Sequence, residues 1–107
     1  MKDNTIKEML ESERPRERMM SLGTNNLSNE ELISIILKTG TSGYSVKTLS
    51  RNILSELDDI TSLNDMTINR LTKIKGIGKV KAIELLSAIE LGKRVYYANE
   101  QKRSSSK

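Results

Sequence analysis

The residues best suited to chemistry lie in the stretch 74–82, which reads IKGIGKVKA. Gly76 and Gly78 flank a single isoleucine, and lysines surround the pair. Glycine takes φ > 0 without steric cost, so we expect both glycines to let the chain reverse tightly between two helices. The helix that follows Gly78 would begin with main-chain N–H groups that lack a partner within the helix. The pattern therefore predicts an anion site.

The chemistry predicted for this turn is contact with nucleic acid phosphates. Such contacts hold the sugar–phosphate backbone and leave base edges unread, so binding would lack sequence preference. The predicted contact residues are Lys75, Gly76, Ile77, Gly78, Lys79, Val80 and Lys81, with Lys73 leading in from the other side. The alternative is a glycine-rich helix junction whose lysines are only solvated. A dinucleotide-binding loop is excluded, because Lys81 stands where its third glycine belongs.

A second, weaker candidate is the loop TGTSGYS, in which the predicted contacts are Gly40, Thr41, Gly43 and Lys47. Tyr44 in this loop could stack on a base or sugar, but packing is the favoured interpretation. Val-Lys follows the second glycine in both loops, 34 residues apart at Val46 and Val80. Two copies of a helix–loop–helix unit related by a pseudo-twofold axis would explain this, and chance similarity remains an alternative.

The composition argues against catalysis by this chain. The sequence has no histidine and no cysteine, which removes the commonest general base and the commonest metal ligands. The acidic pairs at 30–31 and 58–59 are better explained as charges at helix ends than as an acid–base pair. We therefore predict no catalytic residue, no metal site and no cofactor in this chain.

Charge and length define the partners to be expected. The 107 residues carry a net charge of +4, which collects in residues 66–107, where 10 Lys/Arg face only 3 Asp/Glu. A basic surface of this kind attracts polyanions. No apolar run approaches the ~20 residues of a membrane span, and the amino terminus lacks the apolar core of a signal peptide. We expect a cytoplasmic monomer with no membrane contact.

The local signals predict helices that begin and end at recognisable residues. Pro15 suits the first turn of a helix that ends at Gly23. Ser28 with Glu31 forms a capping box at the start of the next helix. A further helix is expected from about Ser45 to Leu57, and Thr67 can cap a short one. A long helix should follow from Lys79.

Each main helix should bury one apolar stripe. The predicted stripes are Leu32, Ile35 and Ile36, ending at Gly40; Val46, Leu49, Ile53 and Leu57; and Val80, Ile83, Leu86 and Ile89. Ile77 should plug the turn, and Ala82 should let the helices approach closely. The predicted fold is an all-α bundle of about five helices over residues 1–97, followed by a disordered linker over 98–107.

The turn resembles the helix-hairpin-helix motif. The matching residues are Leu71, Ile74, Gly76, Ile77, Gly78, Ala82, Ile83 and Leu86. With both loops in view, residues 13–94 resemble the amino-terminal domain of RadC-family proteins. The resemblance implies a tandem helix-hairpin-helix arrangement of the SAM-like or RuvA C-terminal-like kind.

The same resemblance implies a DNA-repair-associated bacterial protein with a second, carboxy-terminal JAB/MPN domain that holds zinc. No such domain is expected in residues 1–107, so neither the zinc nor peptidase chemistry is carried over. The expected function is binding of the backbone of duplex or single-stranded DNA. The alternative is a docking or regulatory module for the JAB/MPN domain.

Overall fold

The structure, a computed structural model, describes residues 13–105, which form five α-helices. They are α1 (13–22), α2 (Asn29–Leu37), α3 (Val46–Ser55), α4 (Ile68–Thr72) and α5 (Lys79–Ser105), with 3₁₀ turns at Thr24–Asn26 and Ile60–Asp65. The described residues contain no strand, only an isolated bridge between Thr41 and Tyr44. The predicted all-α bundle is confirmed. Residues 1–12 and 106–107 of the predicted domain and linker lie outside the described residues.

The helix starts that the sequence predicts are present. The Ser28 hydroxyl accepts from the Glu31 N–H at 3.1 Å, and the Glu31 carboxylate accepts from the Ser28 N–H at 2.9 Å. These bonds, with Arg18 nearby, lower the pKa of Glu31. Thr67 accepts from the Arg70 N–H at 3.1 Å, which confirms the predicted cap of α4. Capping by side chains satisfies N–H groups that the helix itself cannot.

The predicted end of α2 is wrong. The helix ends at Leu37 rather than continuing to Gly40, and the left-handed conformation falls on Lys38, with φ 71°. Gly40 has a different role, because a Cβ there would lie 2.2 Å from the main-chain oxygen of Tyr44. The glycine is therefore required by close backbone packing inside the loop.

The buried face of α2 also differs from the predicted stripe. Ile33, Ser34 and Leu37 are buried, whereas Leu32, Ile35 and Ile36 are half-buried. The physical reason is a polar contact between helices: the hydroxyls of Ser34 and Ser50 lie 2.8 Å apart in the core of the α2–α3 contact. Two small side chains let the helices approach closely, and this contact turns the face with Ile33, Ser34 and Leu37 toward the core in place of the predicted stripe.

On α3 the prediction holds for three of four residues. Val46, Leu49 and Ile53 are buried, with Leu49 and Ile53 fully so. Leu57 is half-buried and lies beyond the last helical residue, Ser55.

The predicted stripe of α5 is wrong in its first half. Ala82 and Leu85 are the buried residues, while Val80 and Ile83 are 71% and 51% exposed. The face is set by the buried Ile77, which fixes how the helix leaves the turn. The predicted Leu86 and Ile89 are half-buried against the core.

The carboxyl-terminal part of α5 was also predicted differently. The helix continues to Ser105, so residues 98–105 are helical where a disordered linker was expected. This part of α5 has exposed side chains nearly throughout, since no other described element covers it.

The register of α2 can be tested with one matched pair of substitutions. Ile33→Ala should lower the free energy of unfolding by about 2–5 kcal/mol, because it removes fully buried methylenes. Ile35→Ala deletes the same atoms from a half-buried site and should cost less than about half as much. Urea unfolding followed by circular dichroism measures both. Equal losses, or the larger loss at Ile35, would contradict the register.

Candidate nucleic-acid interface

The turn between α4 and α5 is held against α3 at Gly76. This residue has φ +86°, and a Cβ there would lie 2.3 Å from Leu49 Cδ2 and 3.1 Å from Tyr44 Cδ2. No side chain fits in this position without moving the fully buried Leu49. Gly76 is therefore required both for its backbone conformation and for close packing.

The second glycine loop packs on the first. The Thr41 hydroxyl donates to the main-chain oxygen of Gly76 at 3.1 Å. Tyr44 is half-buried against the core, beside Gly76. The packing interpretation of Tyr44 is therefore correct. Thr41, which was predicted as a contact residue, stabilises the turn through its hydrogen bond to Gly76.

The predicted roles of Ile77 and Ala82 are confirmed by their burial. Ile77 is 4% exposed and its N–H donates to the Ile74 oxygen at 3.1 Å, so it closes the turn from inside. Ala82 is fully buried where α5 passes the core. A larger residue at position 82 would push the two helices apart.

Gly78 differs from Gly76 in conformation and surroundings. Its φ is not positive, so of the two glycines in the turn only Gly76 uses the conformational freedom that the sequence allows to both. It is exposed, and a Cβ there would meet nothing within 4 Å. Its carbonyl accepts from the Ala82 N–H at 3.0 Å, which makes Gly78 the N-cap residue of α5.

The first amides of α5 are open. Across the described residues, no main-chain or side-chain acceptor takes a hydrogen bond from the N–H groups of residues 79–81. By contrast, the N-cap residues of α2, α3 and α4 are Ser28, Ser45 and Thr67, and each of these side chains caps its own helix. Open amides and the positive end of a long helix dipole together favour an anion at Gly78.

Positive charge around the turn is largely uncompensated. Lys73, Lys75 and Lys79 are exposed and have no acidic partner within the part of the chain that the structure describes. The three carboxylates of the basic half are already in ion pairs: Glu84 with Lys38, Glu90 with Arg94 and Glu100 with Arg103. The lysines at the turn therefore face solvent as cations.

Lys81 does not join this group. Its ammonium donates to the main-chain oxygen of Leu37 at 2.9 Å and so caps the carboxyl end of α2. Burial lowers the pKa of Lys81, although Glu84 nearby opposes the shift. The neighbouring Lys38–Glu84 pair, at 3.1 Å, joins the same two helices. The placement of Lys81 depends on where α2 ends, which local sequence signals do not reveal.

The second loop does not assemble a comparable site. Gly43 has φ +86° and is exposed, but Ser45 caps α3 by accepting from the Thr48 N–H at 3.2 Å. Lys47 lies away from the turn, in a cleft that it shares with Arg14 and Glu30. The structure does not bring Lys47 together with Gly40, Thr41 and Gly43 around open amides.

The two helix–loop–helix units align when Ser45 is matched with Gly78. This alignment is shifted by one residue from the one suggested by the Val-Lys pattern, which matches Val46 with Val80. Ser45 and Gly78 are the N-caps of α3 and α5, and each carbonyl accepts from an amide four residues later, at 3.0 Å. Those residues, Leu49 and Ala82, are both fully buried. Val46 is buried whereas Val80 is exposed, because the two valines occupy successive positions and not equivalent ones.

A basic cleft beside the turn was not predicted. It has a volume of about 420 Å³ and is lined by Asn52, Ser55, Glu56, Arg70, Lys73, Ile74 and Lys75. Three cations and one carboxylate therefore share one concave surface between α3 and the end of α4. Arg70 and Lys73 are three residues apart along the chain, which is the spacing that could have indicated a shared helix face.

Comparison with known proteins identifies the family. Residues 6–83 match the UPF0758 N-terminal family. The chain belongs to this family. A UPF0758 protein of Halalkalibacterium halodurans is 42% identical over 99 residues, covering 92% of this chain and 43% of the relative. One from Bacillus mycoides is 40% identical over 102 residues, covering 95% of this chain and 45% of the relative.

Another UPF0758 protein, from Alkaliphilus oremlandii, is 46% identical over 92 residues, which is 85% of this chain and 40% of the relative. This UPF0758 chain thus spans less than half the length of these curated relatives. At the level of the family, the matches support the resemblance to RadC proteins. No solved structure matches the sequence. Within residues 13–105, no helix is long and apolar enough to cross a membrane.

The two glycines of this UPF0758 domain should respond differently to substitution. Gly76→Ala should lower the free energy of unfolding by about 2 kcal/mol or more, because the new methyl meets Leu49 and the φ is unfavourable. Gly78→Ser should leave stability unchanged or raise it by up to about 1 kcal/mol, since serine is a preferred N-cap. Thermal and urea unfolding measure both. A large loss at Gly78 would contradict the open geometry described at this residue.

Proposed function

We propose that this domain binds the phosphate backbone of DNA without sequence preference, through the turn between α4 and α5 in the manner of a helix-hairpin-helix motif. The observation that carries the proposal is the open start of α5. Its first amides have no acceptor in the described residues, its N-cap has no side chain, and exposed lysines flank it. A backbone phosphate is an anion that such an arrangement can bind.

In the proposed complex the contacts differ in kind. The amides of residues 79–81 donate to one phosphate at close range, because Gly78 leaves room for it. Lys75 and Lys79 add attraction through space and release counterions from the strand. Lys81 contributes little, since its ammonium is bound to the Leu37 oxygen. The expected affinity is weak, with a dissociation constant on the order of 10⁻⁴ to 10⁻⁶ M at physiological salt.

The basic cleft supports a path for the strand beyond the first phosphate. Lys75 borders both the turn and the cleft, and Arg70 and Lys73 continue the positive surface along α4. A strand that leaves the amides of α5 over Lys75 would place a neighbouring phosphate near this cleft. Glu56 on the opposite wall limits how deeply an anion can enter.

The proposed role in the longer relatives is that of a targeting module. In a RadC-like protein this domain would bring a carboxy-terminal JAB/MPN domain to DNA, in keeping with an association with repair. The chain spans 43% and 45% of two relatives, so more than half of each is available for such a domain.

A second candidate function is docking of another protein domain. It is favoured by the apolar surface that Ile68, Val80 and Ile83 expose next to the turn, at 43%, 71% and 51%. Apolar side chains in one region of a surface favour protein contacts. In this case the partner would be the attached JAB/MPN domain, and DNA would not bind.

Gly78→Ser tests the proposed phosphate site directly. The serine hydroxyl should accept from the α5 amides, as Ser45 does in α3, and so occupy the anion site from within. Affinity for a short DNA duplex should fall by about tenfold or more, which is the expected cost of losing charge-assisted contacts to one phosphate. Fluorescence anisotropy measures the binding. Thermal unfolding serves as the control, since the variant should be at least as stable as the original.

Unchanged affinity in the Gly78→Ser variant would rule out the amides as the contact. No binding by the unmodified chain to duplex or single-stranded DNA, even at low salt, would favour the docking function. An NMR titration locates the surface: the proposal expects amide shifts at residues 75–82 and in the cleft.

The lysines can be separated by charge-neutral substitutions. Lys75→Gln or Lys79→Gln should weaken binding and lower the slope of log K against log salt by about one each. Lys81→Gln should barely change affinity but should lower thermal stability, because it breaks the bond to the Leu37 oxygen. Lys93→Gln, at an exposed position further along α5, is the control. Equal effects of all four substitutions would indicate diffuse attraction rather than a site.

A further inference from the structure

The carboxyl-terminal half of α5 exposes large apolar side chains that the fold does not use. Leu91 and Val95 are 64% and 63% exposed, although both lie in the middle of a continuous helix. They also line an apolar groove of about 840 Å³ along α5. Neither residue belongs to the face of α5 that Ala82 and Leu85 bury against the core.

The groove follows a heptad pattern. We call six residues the α5 seam: Glu84, Ala88, Leu91, Val95, Ala98 and Lys102. Their spacing alternates between four and three residues, which places all six along one side of a helix that supercoils with another. The four central members are apolar, and one acid and one base close the two ends. Five of the six line the groove, and Glu84 precedes it along the helix.

We propose that the α5 seam binds the seam of a second copy of this chain, with the two helices antiparallel. A twofold axis near residue 93 places Leu91 opposite Val95 of the second copy. The same axis places Ala88 opposite Ala98 and Glu84 opposite Lys102. Every layer then pairs a large residue with a large one, a small residue with a small one, or an acid with a base.

Charge complementarity selects the second copy and its orientation. A parallel pair would set Glu84 against Glu84 and Lys102 against Lys102, which repel. In the antiparallel pair both ends are attractive, and each attraction occurs twice. Lys102 has no acidic partner among the described residues, and the Glu84 carboxylate, 29% exposed, has a second oxygen beyond its contact with Lys38. The small Ala88 and Ala98 let the two helices approach closely.

This inference differs from the monomer expected from the sequence, and it does not depend on nucleic acid binding. The seam and the turn use different parts of α5, since the open amides lie at residues 79–81. Gly78→Ser should therefore leave self-association unchanged, and a seam variant should still bind DNA in the monomeric state.

Sedimentation velocity over a wide concentration series tests self-association. The expected result is a concentration-dependent dimer of the 12.1 kDa chain. Val95→Ser should weaken the dimer about tenfold or more, because the lost contact occurs twice. Tyr97→Ser is the matched control: Tyr97 is 67% exposed but lies outside the seam. A chain that stays monomeric throughout would overturn the proposal and leave this face to another domain of the longer relatives.

The charged ends provide a second matched pair. Lys102→Glu sets two acids against each other at both ends of the dimer and should weaken it about tenfold. Lys93→Glu makes the same charge change at an exposed position outside the seam, so it should have little effect. Equal effects would show that net charge, and not the seam, controls association.

Cysteine substitutions can determine whether the two helices are antiparallel, because the chain has no cysteine of its own. A mixture of Leu91→Cys and Val95→Cys chains, one of them carrying a mass tag, should form a disulfide-linked heterodimer under mild oxidation. Each variant alone should crosslink poorly. Efficient crosslinking of Leu91→Cys with itself would indicate parallel helices and overturn the proposed arrangement.

Discussion

The close packing of Gly76 on Leu49 determines where the rest of the candidate site can lie. A methyl group at this position would be 2.3 Å from a side chain that is itself fully buried. The turn can therefore pack directly against α3 only because Gly76 lacks a side chain. This packing places Ile77 inside the core, and the position of Ile77 determines which face of α5 is buried. Gly78 is then exposed at the start of a 27-residue helix.

Features that depend on residues close together in sequence could be predicted, and features that depend on contacts with other helices could not. The caps at Ser28 and Thr67 were correct because the bonds join residues three apart. The stripes of α2 and α5 were wrong because burial depends on other helices. Ser34 is buried through its contact with Ser50, and Val80 is exposed because Ala82 faces the core. Local periodicity identifies a helix, but the tertiary contact decides its rotation.

In the candidate site, too, features set by the local sequence could be predicted, and features set by contacts between distant segments could not. The glycines, the plug at Ile77 and the flanking lysines could be recognised because they lie in one short stretch. The role of Lys81 could not, since it depends on α2 ending at Leu37 with Lys38 in a left-handed conformation. The basic cleft joins residues of α3 to Lys73 and Lys75, which are far apart in sequence. A site assembled from distant segments leaves only a weak trace in composition, in this case the excess of basic residues after residue 65.

The helix α5 connects the two proposals through its length. In the antiparallel pair, the open amides of the two copies lie at opposite ends of the helix pair, both fixed by the register of the seam. With the axis near residue 93 and a rise of 1.5 Å per residue, the two starts of α5 are roughly 42 Å apart. That separation is longer than the roughly 34–36 Å of one turn of B-DNA, so the two turns of a rigid helix pair would not meet successive turns of a straight duplex on the same face. Joined contacts strengthen each other only where both can form at once, because the gain comes from the effective concentration of the second contact. The fixed length of the helix pair therefore favours two separate or bent segments of DNA over one straight segment.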